Sequence, residues 1–577
     1  MHGPIFNEFM LEQAALAWLE SLGYTILSGP EIAPGEPGAE RETYEQVVLA
    51  GRLREAMQRL NPDVPAAMVE DAVRQLMRAD GGTLPEKNRN FHERLTGGLT
   101  VQEVRRERGA AFNQLRVVDF DHFENNDFVV VNQFTVMEGG HRRRFDIVVF
   151  LNGLPVGVFE LKNPAAQGGS LLGAWQQLGT YKEQIPSLFV YNEVLVIANG
   201  LSARAGTLTA PYERFFPWRA PRGGQDNGAP ASELEELVRG IFDKRNLLDL
   251  VRYFIVFEDA GGGRVQKKMS GYHQFYAVNA AMESVLKACK HGGEDKGKGG
   301  VIWHTQGSGK SLTMAFFAGR LCRSREMDNP MVVVITDRND LDDQLFEVFS
   351  RCHELLGQPP TRAESRAQLR TLLATIGGRV VFTTVQKFFQ KEENRQNGAL
   401  SERENVVVIA DEAHRSQYDF IDGFARHMRD ALPNATFVGF TGAPLELDDR
   451  DTRQVFGDYI HIYDIEQAVR DGATVPIYYE SRLAQLALDE AERPRLDEEF
   501  EELTEEEELS DRARMAARWT QLERLAGAPK RIREIARDLI GHFEQRQQAI
   551  AGKAMMVCMS RKICVELYKE IVRLTGR

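Results

Sequence analysis

The spacing of hydrophobic positions changes along the chain, and each change predicts a different element. Leu11, Ala15 and Leu19 recur at helical spacing, which predicts an amphipathic helix over residues 5–22. Runs with strand character follow at 114–119, 127–132, 144–151, 157–161 and 193–198. Together these elements predict a domain of helices and strands that ends near the aromatic cluster at 215–218.

A second pattern begins after residue 231. A helix is predicted over 232–260. Runs that are apolar throughout then alternate with helix-length segments, at 300–303, 331–336, 379–383, 406–410 and 436–440. Such runs predict a parallel sheet covered on both faces, and the run at 554–559 predicts the first strand of a further unit. The fold class is therefore α/β.

Composition limits the classes of protein that fit this pattern. The chain has 577 residues, 43% of them hydrophobic, and a formal net charge of −13. That length suits three or four domains, and the acidic balance gives no support to a uniformly basic nucleic-acid binder. The five cysteines show no C-x-x-C spacing, which argues against a zinc ribbon or a disulfide framework. With no apolar run of about 18 residues and no signal-peptide pattern, we expect a cytoplasmic protein without a membrane span.

A candidate phosphate-binding loop follows the apolar strand at 301–303. Small residues allow close approach of backbone N–H groups to a phosphate, and a helix N-terminus stands behind them. The candidate nucleotide ligands are Thr305, Gly307, Ser308, Gly309, Lys310 and Ser311. Lys310 is expected on the β- and γ-phosphates of ATP, and the Ser311 hydroxyl on Mg²⁺. His304 stands where the common pattern has glycine.

Two acidic residues follow the apolar strand at 406–410. Asp411 is predicted to hold Mg²⁺ through water, and Glu412 to orient the water that attacks ATP. The strand would deliver both to the sheet edge where the phosphate loop lies. The alternative is that Asp411 caps a helix.

A third candidate site lies upstream, in a predicted β-hairpin. Asp146 and Glu160 interrupt apolar runs on either side of the turn at Asn152–Gly153, and Lys162 shares a strand face with Glu160. A plain two-residue loop would turn Asp146 and Glu160 to opposite faces. The hypothesis of a shared site therefore requires a three-residue loop at 152–154 or a β-bulge.

Two carboxylates beside a lysine suit phosphodiester hydrolysis. Asp146 and Glu160 are the expected Mg²⁺ ligands, and Lys162 would position water or stabilise developing charge. The alternative is a surface hairpin with ordinary charges. Glu12 is a further acidic candidate, although a solvated helix face suits it better. Basic residues at 142–144 either meet DNA phosphates or simply lie on a solvated edge.

These motifs carry a family resemblance. The region 265–577 resembles superfamily 2 helicases and translocases, in which Gln274 corresponds to the adenine-reading glutamine and Thr441 to the motif coupling ATP state to DNA grip. The segments 336–338 and 383–387 resemble motifs that touch DNA, and 411–414, ending in His414, resembles the acidic motif. Gln177 and Tyr181, four apart on a predicted helix, resemble the Q-x-x-x-Y feature of certain PD-(D/E)xK nucleases and are candidate catalytic residues.

The order of these parts, together with the phrases at 157–163, 302–311 and 411–417, resembles the R (motor and endonuclease) subunit of type I restriction-modification enzymes. The resemblance implies a PD-(D/E)xK-like nuclease domain at 1–230, a first RecA-like lobe at 231–475, and an acidic insertion with the start of an incomplete second lobe at 476–577. It implies ATP and Mg²⁺ as cofactors, double-stranded DNA as substrate, and methyltransferase and specificity subunits as partners.

The activity expected from this resemblance is that of a type I site-specific deoxyribonuclease, in which ATP-dependent translocation is coupled to double-strand cleavage. Two other interpretations are open. One is a stand-alone DNA repair or antiviral helicase-nuclease, which would purify without methyltransferase partners. The other is a non-catalytic remnant, which would bind ATP or DNA without hydrolysis or cleavage.

Overall fold

The computed structural model describes residues 7–105, 109–163, 169–220, 232–290, 296–336, 339–375, 377–388, 399–413, 424–443, 455–479 and 526–576. The helices are α1 Glu8–Ser21, α2 Ala50–Leu60, α3 Ala66–Met77, α4 Leu84–Gly97, α5 Leu171–Gln184, α6 Pro186–Phe189, α7 Glu233–Ile241, α8 Lys244–Tyr253, α9 Tyr272–Lys290, α10 Lys310–Cys322, α11 Asn339–Arg351, α12 His353–Leu356, α13 Arg366–Leu373, α14 Phe424–Ala431, α15 Ile465–Arg470, α16 Pro529–Ala549 and α17 Arg561–Thr575. The strands are β1 Thr25–Ser28, β2 Leu99–Arg105, β3 Gly109–Leu115, β4 Phe128–Glu138, β5 His141–Leu151, β6 Leu154–Leu161, β7 Val194–Ala198, β8 Ala203–Gly206, β9 Ile255–Asp259, β10 Val265–Met269, β11 Lys298–His304, β12 Met331–Thr336, β13 Thr361–Arg362, β14 Val380–Thr384, β15 Val406–Ala410, β16 Thr436–Thr441 and β17 Tyr459–Tyr463. The chain divides into two compact units, Met1–Pro476 and Ile477–Arg577.

The first sheet of the larger unit is mixed, with strand order β1-β4-β5-β6-β7-β8. β1 is parallel to β4 and β6 is parallel to β7, whereas the β4–β5 and β5–β6 pairs are antiparallel hairpins. Every residue of β6 and β7 is buried, because helices cover both faces at the centre of the sheet.

The β5–β6 hairpin contains the bulge that a shared acidic site requires. Its turn is the two-residue loop Asn152–Gly153, in which both residues have positive φ, as a tight hairpin turn demands. Phe150 pairs with Pro155 next to the turn, but Val149 pairs with Gly157, so Val156 is an extra residue on β6. The shifted register continues through Ile147 and Phe159 and brings the next positions, Asp146 and Glu160, opposite each other. This part of the sequence prediction is confirmed.

The second sheet is entirely parallel, with strand order β13-β14-β12-β15-β16-β11-β17. All residues of β12, β14, β15 and β16 are buried, which confirms the parallel sheet predicted from runs apolar on both faces. β16 lies between β15 and β11. The carboxyl ends of these three strands therefore meet at one edge of the sheet.

The two sheets share one hydrophobic core. A single cluster of buried side chains contains Val158 and Ile197 from the first sheet, and Ile302 and Val334 from the second. The antiparallel ribbon of β9 and β10 also contacts the N-terminal region, through α4. The predicted helix over 232–260 is therefore wrong in its last part. Residues 255–259 form β9, because this apolar run finds a partner strand in β10.

A buried ion pair crosses from this ribbon to the first sheet. The Lys267 ammonium on β10 donates to Glu193 Oε2 at 2.6 Å, to Asn88 Oδ1 at 3.0 Å and to the Asn192 carbonyl at 2.8 Å. His92 Nδ1 lies 3.0 Å from the same Glu193 oxygen. Lys267 and Glu193 have fully buried side chains, so solvent does not screen their attraction.

In the smaller unit, α16 packs against α17 through Ile532, Ala536 and Leu567. The predicted strand at 554–559 is not formed, and Met555 and Val557 are 88% and 85% exposed. A strand needs a neighbour for its backbone hydrogen bonds, and the described residues of this unit contain no other strand. Among the described residues, no helix has the length and apolarity needed to span a bilayer.

Candidate functional site

The hairpin site is formed where β5 and β6 carry Asp146 and Glu160. The Leu161 N–H donates to Asp146 Oδ2 at 2.8 Å, which fixes that carboxylate against the end of β6. The Lys162 ammonium donates to Glu160 Oε1. Glu160 is only 2% exposed, and its Oε2 has no hydrogen-bond partner among the described residues. The three predicted residues therefore come together, with one acidic oxygen left unsatisfied.

Both carboxyls are difficult to ionise in this setting. Burial, together with the neighbouring Asp146, raises the pKa of Glu160 to about 8. Burial raises the pKa of Asp146 to about 7, although the Leu161 N–H works in the opposite direction. Burial also opposes the charge of Lys162, but the Glu160 carboxylate outweighs it and raises the pKa of that lysine. When both acids are ionised, they carry more negative charge than the one lysine offsets.

Helix α1 adds acidic groups to the same site. Glu8 raises the pKa of Asp146 and of Glu160, and Glu12 raises that of Asp146. Glu12 is buried, not solvated, because its carboxylate accepts hydrogen bonds from the side chains of Asn132, at 2.8 Å, and Gln133. The expectation of a solvated face for Glu12 is wrong. Sequence reasoning missed Glu8, although its position one helical turn before Glu12 was a usable signal.

Helix α5 covers the site from another side. The Tyr181 ring packs edge-on against Phe145 at 4.8 Å, and burial together with Glu160 raises the pKa of its phenol. Gln177 lies one turn earlier on the same helix and is half-buried. Arg143 on β5 donates to Gln184 Oε1 at 2.6 Å, which links the strand to the end of α5.

The hairpin residues fit a divalent cation. Mg²⁺ in phosphate-processing sites is commonly held by one or two carboxylates, with water and substrate phosphate completing its shell. Asp146 and Glu160 supply two carboxylates, and a cation would reach the unsatisfied Glu160 oxygen and favour the ionised form of both acids. Among the described residues, no group of three or more His, Cys, Asp or Glu side chains forms a metal site.

The second site surrounds the loop between β11 and α10. Gly307 and Gly309 have φ of 86° and 87°, a region that glycine enters without strain. The Ser308 hydroxyl donates to the Thr305 carbonyl at 2.6 Å, which closes the loop. Lys310 and Ser311 begin α10, so backbone N–H groups at its N-terminus face the loop.

Upstream residues hold this loop from behind. Gln274 accepts from the Gly271 N–H at 2.9 Å and donates to the Gly309 carbonyl at 3.1 Å and to Thr313 Oγ1 at 3.2 Å. The predicted adenine reader therefore contacts the loop itself. His304, at the position where glycine is common, is fully buried and lies 2.9 Å from His461 Nδ1 on β17. Its ring therefore packs against β17.

The sheet edge brings the remaining predicted residues to the loop. A Cβ added to Gly442 would lie 2.8 Å from Lys310 Nζ and 3.8 Å from Glu412 Oε2, so these two groups flank Gly442. Glu412 has a φ of 50°, an uncommon backbone conformation for this residue type that recurs at functional sites. Its N–H donates to Asp411 Oδ1 at 2.9 Å.

Thr441 is buried at the end of β16, and its hydroxyl donates to the Ala443 carbonyl at 2.9 Å. Several predicted positions cannot be placed. His414, residues 337–338 and 415–417, and residues 480–525 of the predicted acidic insertion lie outside the described residues.

Two family models match the chain. Residues 5–214 match the family model described as type I restriction enzyme R protein N terminus, and residues 273–513 match that of the SWI2/SNF2 ATPase. The chain is 43% identical to the type I restriction enzyme HindI endonuclease subunit of Haemophilus influenzae, over 99% of this chain and 54% of that protein.

A second relative is the MjaIXP endonuclease subunit of Methanocaldococcus jannaschii, also named for a type I restriction enzyme, at 34% identity over 98% of this chain and 55% of that protein. The chain thus spans about half the length of the curated relatives it matches. A solved fragment of an HsdR subunit from Vibrio vulnificus covers 78% of this chain and 70% of its own, at 17% identity and a TM-score of 0.32, which is a weak likeness.

Proposed function

The chain is similar over nearly its whole length to type I restriction enzyme endonuclease subunits, and we propose that it cuts double-stranded DNA at the β5–β6 hairpin and hydrolyses ATP at the β11–α10 loop. The observation that carries the proposal is the meeting of Asp146, Glu160 and Lys162 in a register that depends on the Val156 bulge. An ordinary surface hairpin has no need to place a buried acid opposite a half-buried one.

In the cutting reaction, Asp146 and Glu160 would hold Mg²⁺ in a PD-(D/E)xK-like site. The metal, when bound, polarises the phosphate and lowers the pKa of a water. Lys162 would orient that water or stabilise charge on the phosphate, because its ammonium already lies against Glu160. Tyr181 and Gln177 on α5 would position the DNA strand at the same site.

In the motor, the loop at Thr305–Ser311 would hold the ATP phosphates, with Lys310 on the β- and γ-phosphates. Ser311 and Asp411 would hold Mg²⁺, and Glu412 would orient the attacking water. Gln274, Thr441 and His414 complete the proposed nucleotide set. The proximity of Lys310 and Glu412 around Gly442 supports this assignment.

We further propose that the activity is that of a type I restriction endonuclease, in which ATP-driven translocation precedes double-strand cleavage and methyltransferase and specificity subunits supply sequence recognition. The proposed domains are a nuclease at 1–230, a first RecA-like lobe at 231–475, and an acidic insertion with the start of a second lobe at 476–577. The family relationship supports these assignments.

The test is nicking of supercoiled plasmid with Mg²⁺, with and without ATP, by the chain alone and by the complex reconstituted with methyltransferase and specificity subunits. Glu160→Ala should reduce nicking about 100-fold or more, because a lost metal ligand removes several kcal/mol of transition-state stabilisation. Lys310→Ala should abolish ATP hydrolysis and leave any ATP-independent nicking intact. Glu183→Ala, an exposed acid on α5, is the matched control and should behave as the parent. Full nicking by Glu160→Ala would refute the hairpin as the cutting site.

A further inference from the structure

Strand β5 continues for five residues beyond Asp146 toward the tip of the β4–β5 hairpin. Its pairs with β4 follow one register from Leu151 to His141, except at Asp146, where Gln133 of β4 has a φ of 53° and the two residues are not paired. Side chains therefore alternate regularly between the two faces, and Arg144 and Arg142 share the face of Asp146. Arg143 points to the other face, where it donates to Gln184. The three consecutive arginines are thus divided into two that flank the acidic site and one that braces α5.

The two flanking arginines are available to a ligand. Both side chains are exposed, and in the described part of the chain neither forms an ion pair with a carboxylate. The Arg142 guanidinium lies 5.5 Å from the centre of the Tyr44 ring, an aromatic contact that orients it without cancelling its charge. At the hairpin tip, a Cβ added to Gly139 or Gly140 would meet nothing within 4 Å, so the tip next to Arg142 is uncovered.

A third, buried arginine adds to the positive charge beneath this surface. Arg41 is 5% exposed and donates to the carbonyls of Gln46, at 3.1 Å, and Thr135, at 2.7 Å. Thr135 is the residue that pairs with Arg144 across the hairpin. Because Arg41 donates these hydrogen bonds to neutral carbonyls, its positive charge is solvated by dipoles and still acts on a nearby anion.

The cutting site needs such cations. When a cation is bound, Asp146 and Glu160 are ionised, and together with Glu8 and Glu12 on α1 they repel the DNA backbone. Lys162 and a bound cation offset part of this repulsion at the reacting phosphate, but they leave the neighbouring phosphates without a partner. Two residues of strand span about 7 Å, so Arg144 and Arg142 lie about 7 Å and about 14 Å along β5 from Asp146. At these distances they can reach backbone phosphates one or two nucleotides away from the scissile phosphate.

We propose that Arg144 and Arg142 are the positioning residues that hold backbone phosphates of the DNA strand cut at Asp146 and Glu160. The inference rests on the proposed cutting function. It assigns Arg144 and Arg142 as the phosphate track, the surface along which the DNA strand lies where it reaches the hairpin. The contact is with phosphate, so it carries no sequence preference. Arg143 takes no part in it.

The experiment measures DNA binding by the whole chain in EDTA, where no cleavage occurs, using a short fluorescent duplex and salt from about 50 to about 200 mM. The slope of log K against log salt is negative, and each lost phosphate contact should reduce its magnitude by about 0.9. Arg144→Ala and Arg142→Ala should each show this decrease, and the double variant about twice as much. Arg144→Lys should keep the parent slope, because an ammonium still serves as a point charge for phosphate. Arg143→Ala removes the same charge from the opposite face and is the matched control, expected to keep the parent slope.

Equal slopes for the parent and the Arg142/Arg144 double variant would overturn the inference, as would an equal decrease in Arg143→Ala. A parent chain that does not bind duplex DNA would overturn it as well. The outcome is separable from that of the nicking test. If the salt slope is reduced in the arginine variants but nicking does not depend on Glu160, the phosphate track is supported and the cutting function is rejected. If nicking depends on Glu160 but the salt slope is unchanged, only the phosphate track is rejected.

Discussion

Two buried glutamates of the first sheet region, Glu160 on β6 and Glu193 directly before the neighbouring strand β7, show opposite electrostatic behaviour. Each is almost inaccessible to solvent, and each leaves one carboxylate oxygen without a hydrogen-bond partner among the described residues. For Glu193, burial is outweighed by Lys267 and His92, and its pKa is lowered. For Glu160, burial and Asp146 outweigh Lys162, and its pKa is raised to about 8.

The difference shows which feature marks a functional site. An unsatisfied oxygen is common to both clusters, so it does not separate them. Charge balance does: Glu193 meets a lysine and a histidine, whereas Glu160 meets one lysine, a second acid opposite and the more distant carboxylate of Glu8. A cluster whose charges balance internally serves the fold, and one that does not balance is built for a cation from outside.

The largest expected effect comes from breaking the balanced cluster. Lys267→Met should lower the free energy of unfolding by about 3–5 kcal/mol, because it leaves Glu193 charged and buried at the junction of the two sheets. Urea unfolding at pH 7 measures this loss. The double variant Lys267→Met/Glu193→Leu should recover much of it, because no buried charge then remains.

Lys162→Met is the matched change in the unbalanced cluster. At pH 7 Glu160 is mostly protonated already, so removing Lys162 leaves no fully charged carboxylate without a partner. We therefore expect the free energy of unfolding to fall by less than about 1 kcal/mol. Comparable losses for the two lysines would contradict the distinction between the clusters.

A smaller effect should appear in the pH dependence of stability without divalent cations. The folded pKa values of Asp146 and Glu160, about 7 and about 8, lie above the ordinary values of 3.8 and 4.5. Between these limits the folded chain binds more protons than the unfolded chain, so this pair makes stability fall as pH rises from about 4 to about 8. Thermal unfolding of Glu160→Gln beside the parent isolates the contribution of Glu160. Relative to the parent, the variant should be more stable at pH 8 than at pH 5. A difference that does not change with pH would contradict the raised pKa values.

Mg²⁺ should reverse this loss in the parent. At pH 8 a cation at ten times its Kd stabilises the folded chain by about 1.4 kcal/mol, and Glu160→Gln should gain much less. The measurement is the melting temperature against Mg²⁺ concentration without nucleotide, since the loop at Thr305–Ser311 binds its Mg²⁺ together with ATP in the proposed function. An equal rise in both proteins would place the cation elsewhere.

Local pattern predicted much of this architecture. Runs apolar on both faces predicted the strands of the parallel sheet, and the hairpin register required a bulge that the structure has at Val156. Both rest on periodicity within a few residues, which sequence records directly.

Long-range pairing was not predictable in the same way. The Lys267–Glu193 contact joins residues 74 positions apart, and no periodicity points to it. The same limit explains β9, an apolar run that became a strand because β10 pairs with it, and residues 554–559, which have strand composition without a partner strand. Glu12 was misjudged because Asn132 and Gln133, which bury it, come from a strand more than a hundred residues away.

The smallest expected effect is that of Glu8. Comparing it with Glu12 on the same helix, α1, distinguishes an acid that acts through its charge from one that acts through hydrogen bonds. Glu8 raises the pKa of both hairpin acids, so Glu8→Gln should lower the pH at which they ionise by a few tenths of a unit and shift the pH dependence of stability accordingly. Glu12→Gln replaces an acceptor that binds both Asn132 and Gln133, so it should lower the melting temperature at every pH. Melting curves of the two variants from pH 5 to pH 9 distinguish a shifted profile from a uniformly lowered one. A uniform loss in Glu8→Gln would mean that this acid supports the fold by contact, and the excess charge at the hairpin would then belong to Asp146 and Glu160 alone.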